Sequence, residues 1–438
     1  MGKRFLIIGN EGREHATAWK LGQSSEVEHV FVAYGNAAML REPKVSRVDY
    51  DDYDELARFA RQHKIDCTIV GGTRVCMKGI VDVFQKHGLV VLGPTQASAE
   101  LEGSKRYSKL FMERHGIPTP AQRTFESIAE AKAHLSRCEY PVVLKSDART
   151  SSDVSAVVLN LPLTHPYSSA DKGWACAAKM LQEDADNLLL EQCLVGREIS
   201  YTILMDGADW VSMCPVRDYK RVEDYDQGIN TSGLGGYSPV PWFTPDLEHK
   251  VVERIVLPTL RGMREENLQY RGFLYFGVLI DAAGDPWLLE YNTRIGDPEA
   301  QTTIMLLDED LADVALRAAT GQLGGASLRW RPGCAMTATL APQGYPMTAK
   351  TGAPFALPAD EPDDVKYFGG LVVGDGDRYL TRDERAVTAT AYAEDASICR
   401  QRLYEAVEQV ESDVLFWRTD IGAELEIVAE EPAVVNRR

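Results

Sequence analysis

Apolar and polar positions alternate in blocks along the first part of the chain. The apolar blocks are RFLIIG (4–9), HVFVAYG (29–35), DCTIVGG (66–72) and GLVVLGP (88–94). Each block has the length of a strand and ends at or beside a glycine, and helical segments fit between them. The pattern predicts an open parallel sheet with helices on its faces, whose ligands bind at the carboxyl ends of the strands.

Two segments, 54–64 and 395–410, show the helical period of apolar residues. Residues that recur at this period lie on one face of a helix and are expected to pack into the core. The expected core-facing residues are Leu56, Phe59, Ala60 and His63 in the first helix and Ile398, Leu403, Ala406 and Val410 in the second.

The middle of the chain continues with helical and strand signals. A helix with a Gly-Ser-Lys step is predicted over 101–118, and a proline-marked segment, HGIPTP, ends it. Further strands are predicted at YPVVLK (140–145), on both sides of a turn at Gly196 within 187–201, at GFLYFGVLID (272–281), and at 366–373 and 386–392.

The segment DPWLLEYNTRIGDPE (285–299) carries the clearest chemistry. An apolar strand delivers Glu290 and Asn292 to its end, two residues apart and therefore on one face. Two hard oxygen ligands on one face, with Arg294 next along it, suit Mg²⁺ that bridges nucleotide phosphates beside an anionic substrate. The alternative is an ordinary surface strand end, where Glu-x-Asn is also common.

The first strand is followed by a second candidate site. Gly12 opens a helix that carries Arg13 and Glu14, and free backbone N–H groups at a helix N-terminus bind anions such as phosphate. Because glycine turns of this type are frequent, the pattern alone is weak evidence for phosphate binding.

Composition narrows the possible classes of protein. A chain of 438 residues has the length of about three domains. Its 45% hydrophobic and 26% charged residues are ordinary for a globular protein. A net charge of −18 argues against nucleic acid as the main partner, because such proteins present a basic face.

Targeting and redox signals point to the cytoplasm. No apolar run approaches the length of a membrane-spanning helix, so no membrane partner is expected. The short apolar run at the N-terminus lacks a signal-peptide cleavage site and is read as a strand. The eight cysteines are scattered without a Cys-x-x-Cys pair or a zinc spacing, which fits reduced thiols.

The chain resembles the phosphoribosylamine–glycine ligases, a family of the ATP-grasp superfamily, over nearly its whole length. The motifs that carry the resemblance occur in the family's order and end with RTDIG (418–422). They are GNEGREHA (9–16), LGPTQASAELEGSK (92–105), DYKRVEDYDQGINTSGLGGYSP (218–239), GFLYFGVLID (272–281) and EYNTRIGDPE (290–299).

The resemblance implies a multidomain α/β and α+β fold. An open parallel α/β domain is expected at residues 1–100, followed by a helical linker at 101–121. An ATP-grasp lid subdomain is expected at 122–190 and a catalytic subdomain at 191–328. A small α+β domain at 329–438 is expected to close over the acceptor.

The resemblance also assigns residues to the nucleotide and metal. Lys105 and Lys145 match lysines that face nucleotide phosphates, which suits a compact ammonium charge. Glu191 matches the strand-end acid beside the adenine, and Glu198 the acid that holds the ribose hydroxyls. Glu290 and Asn292 would hold Mg²⁺ or Mn²⁺ with ATP.

The acyl-donor half belongs to a polar loop that begins at Asp218, Lys220 and Arg221. The loop continues through Asn230, and its small residues suit an acyl phosphate. The resemblance implies that Arg294, with Asp218 and Asp297, binds the carboxylate and ammonium of a small amino acid. Tyr219 stands where a histidine is usual.

The acceptor half departs from the family. Glu11 stands where a glycine is usual and adds a negative charge near the expected phosphate. The resemblance places Gly12, Arg13 and Glu14, together with Gly72, Thr73 and Arg74, at the amine acceptor. At 71–76 the family's acid is missing and a base, Arg74, is present nearby. The alternatives are drift in a loop and a changed acceptor pocket.

The lid departs more strongly. The family's glycine-rich lid with its lysine is replaced by Asp147, Ala148, Arg149, Thr150, Ser151, Ser152, Asp153 and Val154. Ordinary residues resist the left-handed conformations that glycine adopts, and an added carboxylate repels phosphate. Arg149 replaces the missing cation, Asp153 holds a metal, or catalysis is impaired.

The predicted activity is that of an ATP-dependent carboxylate–amine ligase. An acyl phosphate forms from the donor and ATP, ADP leaves, and an amine attacks to give an amide. The departures favour a relative with glycine or a small amino acid as donor and an altered amine acceptor in specialised metabolism. The alternatives are the purine-synthesis ligase itself and a nucleotide-binding pseudoenzyme that acts as a regulator. The expected partners are small molecules, and the chain is expected to be a monomer or homodimer.

Overall fold

The computed structural model describes residues 2–125, 127, 130, 133–134, 142–146, 157–159, 188–375 and 378–425. The helices among these residues are α1 (Gly12–Gln23), α2 (Tyr53–Gln62), α3 (Thr73–Met77), α4 (Ile80–Lys86), α5 (Gln96–Gly103), α6 (Lys105–Arg114), α7 (Pro245–Val251), α8 (Leu257–Glu265), α9 (Glu299–Leu306), α10 (Leu311–Thr320) and α11 (Ala396–Glu408). In this described part of the chain, no helix is both long and apolar enough to cross a membrane.

The strands divide into an N-terminal, a central and a C-terminal group. The N-terminal strands are β1 (Lys3–Ile8), β2 (Val27–Ala33), β3 (Val45–Val48), β4 (Cys67–Val70) and β5 (Val91–Pro94). The central strands are β6 (Gln122–Phe125), β7 (Val142–Ser146), β8 (Val157–Leu159), β9 (Leu188–Gln192), β10 (Gly196–Met205), β11 (Trp210–Ser212), β12 (Arg217–Asp218), β13 (Arg221–Glu223), β14 (Gln227–Asn230), β15 (Gly235–Ser238), β16 (Tyr270–Asp281) and β17 (Pro286–Asn292). The C-terminal strands are β18 (Cys334–Pro342), β19 (Pro354–Ala356), β20 (Val365–Gly369), β21 (Val373–Asp375), β22 (Arg378–Leu380), β23 (Val387–Ala393) and β24 (Leu415–Phe416).

The N-terminal strands form the predicted open parallel sheet. Its order is β3–β2–β1–β4–β5, and each neighbouring pair runs parallel. The strand β4 is buried along its whole length, as expected when helices cover both faces of a sheet. Because parallel strands end at the same edge, the loops after β1 and β4 meet there.

The helix predicted over 101–118 is divided in the structure. The helix α5 ends at Gly103 and α6 begins at Lys105, with Ser104 in an extended conformation between them. The Ser104 hydroxyl accepts from the Tyr107 backbone N–H at 3.1 Å and so caps α6. The Gly-Ser-Lys step is therefore a helix boundary, and α6 ends at Arg114.

The central strands extend the N-terminal sheet and build a second layer. The strand β16 pairs antiparallel with β5 at one end and with β10 and β17 along its length, which gives a nine-stranded sheet. A separate sheet has the order β6–β9–β7–β8. The hairpin β13–β14 stands apart from both.

Four C-terminal strands join two central strands in an antiparallel sheet. Its order is β12–β15–β18–β23–β20, and β24 adds at β18. The smaller sheet β19–β22–β21 lies beside it. These sheets, with the parallel N-terminal sheet, confirm the predicted fold class. The domain boundaries given above stay predictions.

The core-facing positions of the two predicted helices are confirmed with one exception. Leu56, Phe59 and Ala60 are buried, and the His63 ring stacks on Phe59 at 4.1 Å between centroids. In α11, Leu403 is buried, whereas Ile398 is 47% exposed. The prediction for Ile398 was wrong because Cys399, one helical turn before Leu403, takes the inward position.

A buried polar cluster joins the N-terminal sheet to the C-terminal one. The His15 ring in α1 accepts the Gly369 N–H at Nδ1 (2.8 Å) and contacts Glu42 Oε1 through Nε2 (3.2 Å). Lys366 pairs with the same carboxylate at 2.7 Å. Because Nδ1 is an acceptor, the ring proton lies on Nε2, where it is donated to Glu42.

Arg418 fixes the C-terminal segment to the polar loop. Its side chain is 1% exposed and pairs with Asp420 (2.5 Å) and with Asp226 (2.9 Å) beside the β13–β14 hairpin. It also lies over the Tyr219 ring, 4.7 Å from the centroid. The RTDIG segment thus contacts the loop that carries Asp218 and Lys220 at Tyr219 and Asp226.

We expect Arg418→Ala to destabilise this half of the molecule. Removing Arg418 leaves the buried Asp420 carboxylate without its guanidinium partner, which costs about 3–5 kcal/mol in the free energy of unfolding. Asp226 is nearly half exposed and keeps its pair with Arg217 at 2.7 Å. Urea denaturation followed through the fluorescence of the neighbouring Trp417 measures the change. Arg402→Ala, at a side chain that is 40% exposed and pairs with Asp364, is the control and should cost less than about 1 kcal/mol. Equal effects of the two variants would contradict this role.

Candidate active site

A cavity of about 1620 Å³ opens where the loops after β1 and β4 face the end of β17 and the β13–β14 hairpin. Nearly all described residues that the sequence analysis assigned to a site line it. They are Arg13, Gly72, Thr73, Arg74, Lys105, Lys145, Glu191, Glu198, Asp218, Lys220, Asn230, Glu290, Asn292, Arg294 and Asp297. Gly12 and Glu14 lie behind its wall. Arg149, Asp153 and the rest of the altered lid lie outside the described residues.

A register shift in β17 sets the direction of its end. Glu290 pairs with Gly277 and Leu288 with Val278, so Leu289 is the extra residue of a bulge. Bulges re-aim side chains and are frequent beside active sites. Asn292 pairs with Tyr275, and it lines the same cavity as Glu290.

Glu290 lies among cations. Burial would raise the pKa of this carboxyl, but Lys220, Lys145, Lys105 and Arg294 outweigh it and lower the pKa to about 2. The group is therefore ionised at neutral pH and able to bind a metal. Asn292 donates its amide N–H to the Tyr291 carbonyl at 2.8 Å, which leaves Oδ1 as its ligand atom.

The donor set fits a divalent cation that is shared with phosphates. One carboxylate and one amide oxygen are hard ligands of the kind that Mg²⁺ prefers, and this ion usually keeps water and phosphate as its other ligands. Within the described ranges, no cluster of three or more His, Cys, Asp or Glu side chains suits a metal.

Glu191 is buried between two lysines. Lys145 Nζ lies 2.8 Å from one carboxylate oxygen and Lys109 Nζ 3.0 Å from the other. Burial would raise the pKa of Glu191, but Lys145 and Lys109 lower it. The carboxylate therefore fixes the two ammonium groups at the cavity wall, and Lys145 stays beside the opening.

Lys109 was not predicted as a site residue, although it follows Lys105 by one helical turn in α6. Burial lowers the pKa of its ammonium group to about 8, and the group also donates to Thr119 Oγ1 at 2.7 Å. The spacing of four residues was a usable signal, because such residues share one helix face.

Lys220 bridges the predicted ribose and metal residues. Its Nζ lies 3.3 Å from Glu198 and 3.6 Å from Glu290. Burial would lower its pKa, but Tyr275 and the two carboxylates raise the pKa well above the usual lysine value. The side chain is therefore a permanent cation in the centre of the cavity.

Asp218 is a buried carboxyl group with spare hydrogen-bonding capacity. Among the described residues, its Oδ1 has no hydrogen-bond partner. Burial and the neighbouring Glu299 raise the pKa of Asp218 well above its usual range. Gly233, at φ +105°, allows the close approach, since a Cβ there would lie 2.9 Å from Asp218 Oδ1. A cationic ligand such as an ammonium group would stabilise this pair of acids.

Both carboxylate oxygens of Asp297 already have partners within the protein. Its Oδ2 accepts from the Arg13 backbone N–H and its Oδ1 from Gln301, both at 3.0 Å. Arg385 from the C-terminal domain lies 3.4 Å from Oδ1 and also donates to the Ser232 carbonyl at 2.9 Å. Residues from the N-terminal, central and C-terminal parts of the chain thus meet at this carboxylate, and Arg385 was not found from the sequence.

The predicted acceptor residues Arg13 and Glu14 bind each other. Arg13 Nε lies 2.8 Å from Glu14 and its Nη1 2.9 Å from Glu11. The added charge at Glu11 is therefore balanced within the loop. Gly71 makes this packing possible, because a Cβ there would lie 1.9 Å from Glu14 Oε1. Arg74 is exposed at the cavity wall.

Family models match three successive parts of the chain. The N domain of phosphoribosylglycinamide synthetase matches residues 3–102, its ATP-grasp (A) domain residues 103–300, and its C domain residues 335–424.

Two relatives that match this chain over nearly their whole length carry the same name. A phosphoribosylamine–glycine ligase from Ralstonia nicotianae is 38% identical over 420 residues, which is 96% of this chain and 98% of the relative. One from Vibrio parahaemolyticus is 39% identical over 96% of this chain and 97% of its own length.

Solved structures of other proteins share this fold. The crystal structure of phosphoribosylamine–glycine ligase from Thermotoga maritima has a TM-score of 0.77 at 28% identity, covering 95% of this chain and 99% of that one. A biotin carboxylase domain from Hydrogenobacter thermophilus, solved with MgADP, has a TM-score of 0.68 at 16% identity, with 95% and 92% covered. At that identity the likeness shows the fold alone.

We expect Glu290→Gln to remove the dependence of nucleotide binding on Mg²⁺. The amide keeps the size of the side chain but loses its charge, and losing a ligand should weaken metal affinity by more than the 10–100-fold typical of outer partners. Calorimetric titration with ADP, with and without Mg²⁺, measures the effect. Glu253→Gln, at an exposed carboxylate of the same subdomain, is the matched control. A Mg²⁺ dependence in Glu290→Gln equal to that of the control would refute the metal assignment.

Proposed function

This chain belongs to the phosphoribosylglycinamide synthetase family of ATP-grasp ligases, and we propose that it joins glycine to phosphoribosylamine in purine synthesis. It is an amide-forming, ATP-dependent ligase. The observation that carries the substrate assignment is identity of 36–39% over essentially the full length of relatives named for this reaction. These relatives give no support to the altered acceptor that the sequence departures favoured.

The nucleotide half would hold ATP against Mg²⁺. Lys105 and Lys145 lie beside the phosphates, the backbone after Glu191 holds the adenine, and Glu198 accepts from the ribose hydroxyls. Glu290 and Asn292 bind the Mg²⁺, which neutralises phosphate charge when bound. Lys220, a permanent cation between the two acids, stabilises charge on the transferring phosphoryl group.

The donor half would bind glycine by its two charged ends. The guanidinium of Arg294 takes the carboxylate, and Asp218 takes the ammonium, since its Oδ1 has no hydrogen-bond partner in the part of the chain that the structure describes. The carboxylate then attacks the γ-phosphorus of ATP, the bond to ADP breaks, and glycyl phosphate forms. Asp297 contributes by holding the surrounding loops, since its own oxygens already have partners. Asn230 lies in the loop beside the acyl phosphate.

The acceptor half would lie between the loops after β1 and β4. The amine of phosphoribosylamine attacks the acyl carbon, phosphate leaves, and the amine loses a proton to give the amide. Arg74, exposed at the cavity wall, supplies a cation for the acceptor's phosphate, and Gly12 keeps the loop after β1 close to Asp297. The oligomeric state, monomer or homodimer, and the cytoplasmic location stay predictions.

We expect ADP release that requires ATP, Mg²⁺, glycine and freshly made phosphoribosylamine together, with glycinamide ribonucleotide identified by mass. Omitting each component in turn is the control. ADP formed with glycine but without this product would contradict the acceptor. No ADP with either substrate would contradict the proposed function as a whole.

A further inference from the structure

Glu102 lies in the last turn of α5, between the loop after β4 and the end of β17. The sequence analysis gave it no role, but it lines the cavity, and its side chain is only 14% exposed. It is therefore a charged group held between the donor half and the acceptor half of the site.

The two carboxylate oxygens of Glu102 serve different partners. Oε1 pairs with Arg294 Nη2 at 3.1 Å. Oε2 accepts from the Thr73 hydroxyl at 2.5 Å and from the Thr293 backbone N–H at 2.7 Å and hydroxyl at 3.1 Å. One side chain thus contacts the acceptor loop, the strand end and the donor guanidinium.

These contacts require a carboxylate. Every partner is a donor, and an ionised carboxylate offers only acceptor positions. Glutamine would keep the shape, but its NH₂ group would face either the guanidinium of Arg294 or the donors of Thr73 and Thr293. In either orientation, one buried contact would change from attraction to opposed donors.

We propose that Glu102 is a positioning residue that aims Arg294 at the donor carboxylate and links that arginine to the acceptor loop through Thr73. Arg294 has several rotatable bonds, and the ion pair with Glu102 fixes one end of its guanidinium. The loop of Thr73 is held by the same carboxylate. This inference rests on the proposed function, because it takes glycine as the donor.

The kinetic constants of Glu102→Gln test the link to the donor. We expect the KM for glycine to rise about tenfold or more, because a charge-assisted contact to Arg294 is lost. The KM for ATP should stay within about twofold. Glu113→Gln, at an exposed carboxylate of α6 that accepts from Gln122 at 3.0 Å, is the matched control. It should leave the KM values for glycine, ATP and phosphoribosylamine unchanged.

Thr73→Val tests the link to the acceptor and remains informative if the first variant fails to fold. It removes one donor to Oε2 and leaves the pair with Arg294, so the KM for phosphoribosylamine should rise several-fold while that for glycine changes little. In the double variant Glu102→Gln, Thr73→Val, the Thr73 change should raise the KM for phosphoribosylamine by less than about a further twofold, because its partner Glu102 is already altered.

A KM for glycine in Glu102→Gln within about twofold of wild type would overturn the proposal. A fall in kcat with a lower thermal midpoint and unchanged KM values would also overturn it, since that pattern reports loosened folding. An unchanged KM for phosphoribosylamine in Thr73→Val would overturn the link to the acceptor. Failure of the wild-type protein to form glycinamide ribonucleotide would instead reject the proposed function.

Discussion

Compensation of buried charge is the constraint on which the active site depends. Carboxylates that face a cavity lose solvation, and they stay ionised only where cations lie close. Glu191 has two lysines within 3.0 Å, and Lys220 lies between Glu198 and Glu290. The cavity can therefore bind a nucleotide, because the same lysines that balance the acids also attract phosphate.

The donor side shows the opposite arrangement. Asp218 and Glu299 share a buried region, and Asp218 keeps an oxygen without a hydrogen-bond partner among the described residues. Burial and Glu299 raise its pKa, and the neighbouring cations Lys220 and Arg217 do not outweigh them. An ammonium substrate would add a cation at this oxygen, so binding of the donor would relieve an electrostatic cost already present in the free protein. Asp297 illustrates the contrast, because Arg13, Gln301 and Arg385 already occupy it.

The sequence predicted the elements of this fold better than the contacts between them. Apolar runs located four of the five parallel strands, since burial on both faces leaves a direct mark in sequence. They missed β3, which lies at the edge of the sheet and is only partly buried. The phase of a helix is less certain, and Ile398 was misplaced although its helix was found. Lys109 left a spacing signal. Glu102 left none, because its partner Arg294 lies far along the chain and a single sequence does not reveal such pairs.

The departures from the family were harder to interpret. Glu11 seemed to add an unfavourable charge, but Arg13 lies 2.9 Å away and balances it. Similarly, Thr73, in the segment 71–76 from which the family's acid is missing, donates to Glu102. Each substitution was read alone, whereas its effect depends on a neighbour in space. The departures therefore count for less than the identity of 38–39% to full-length relatives that are named for one reaction.

A crystal structure with Mg²⁺, a non-hydrolysable ATP analogue and glycine would test the central claim most directly. We predict the glycine ammonium within hydrogen-bond distance of Asp218 Oδ1 and its carboxylate on Arg294. Glycine bound elsewhere, with Asp218 Oδ1 still lacking a partner, would contradict the account.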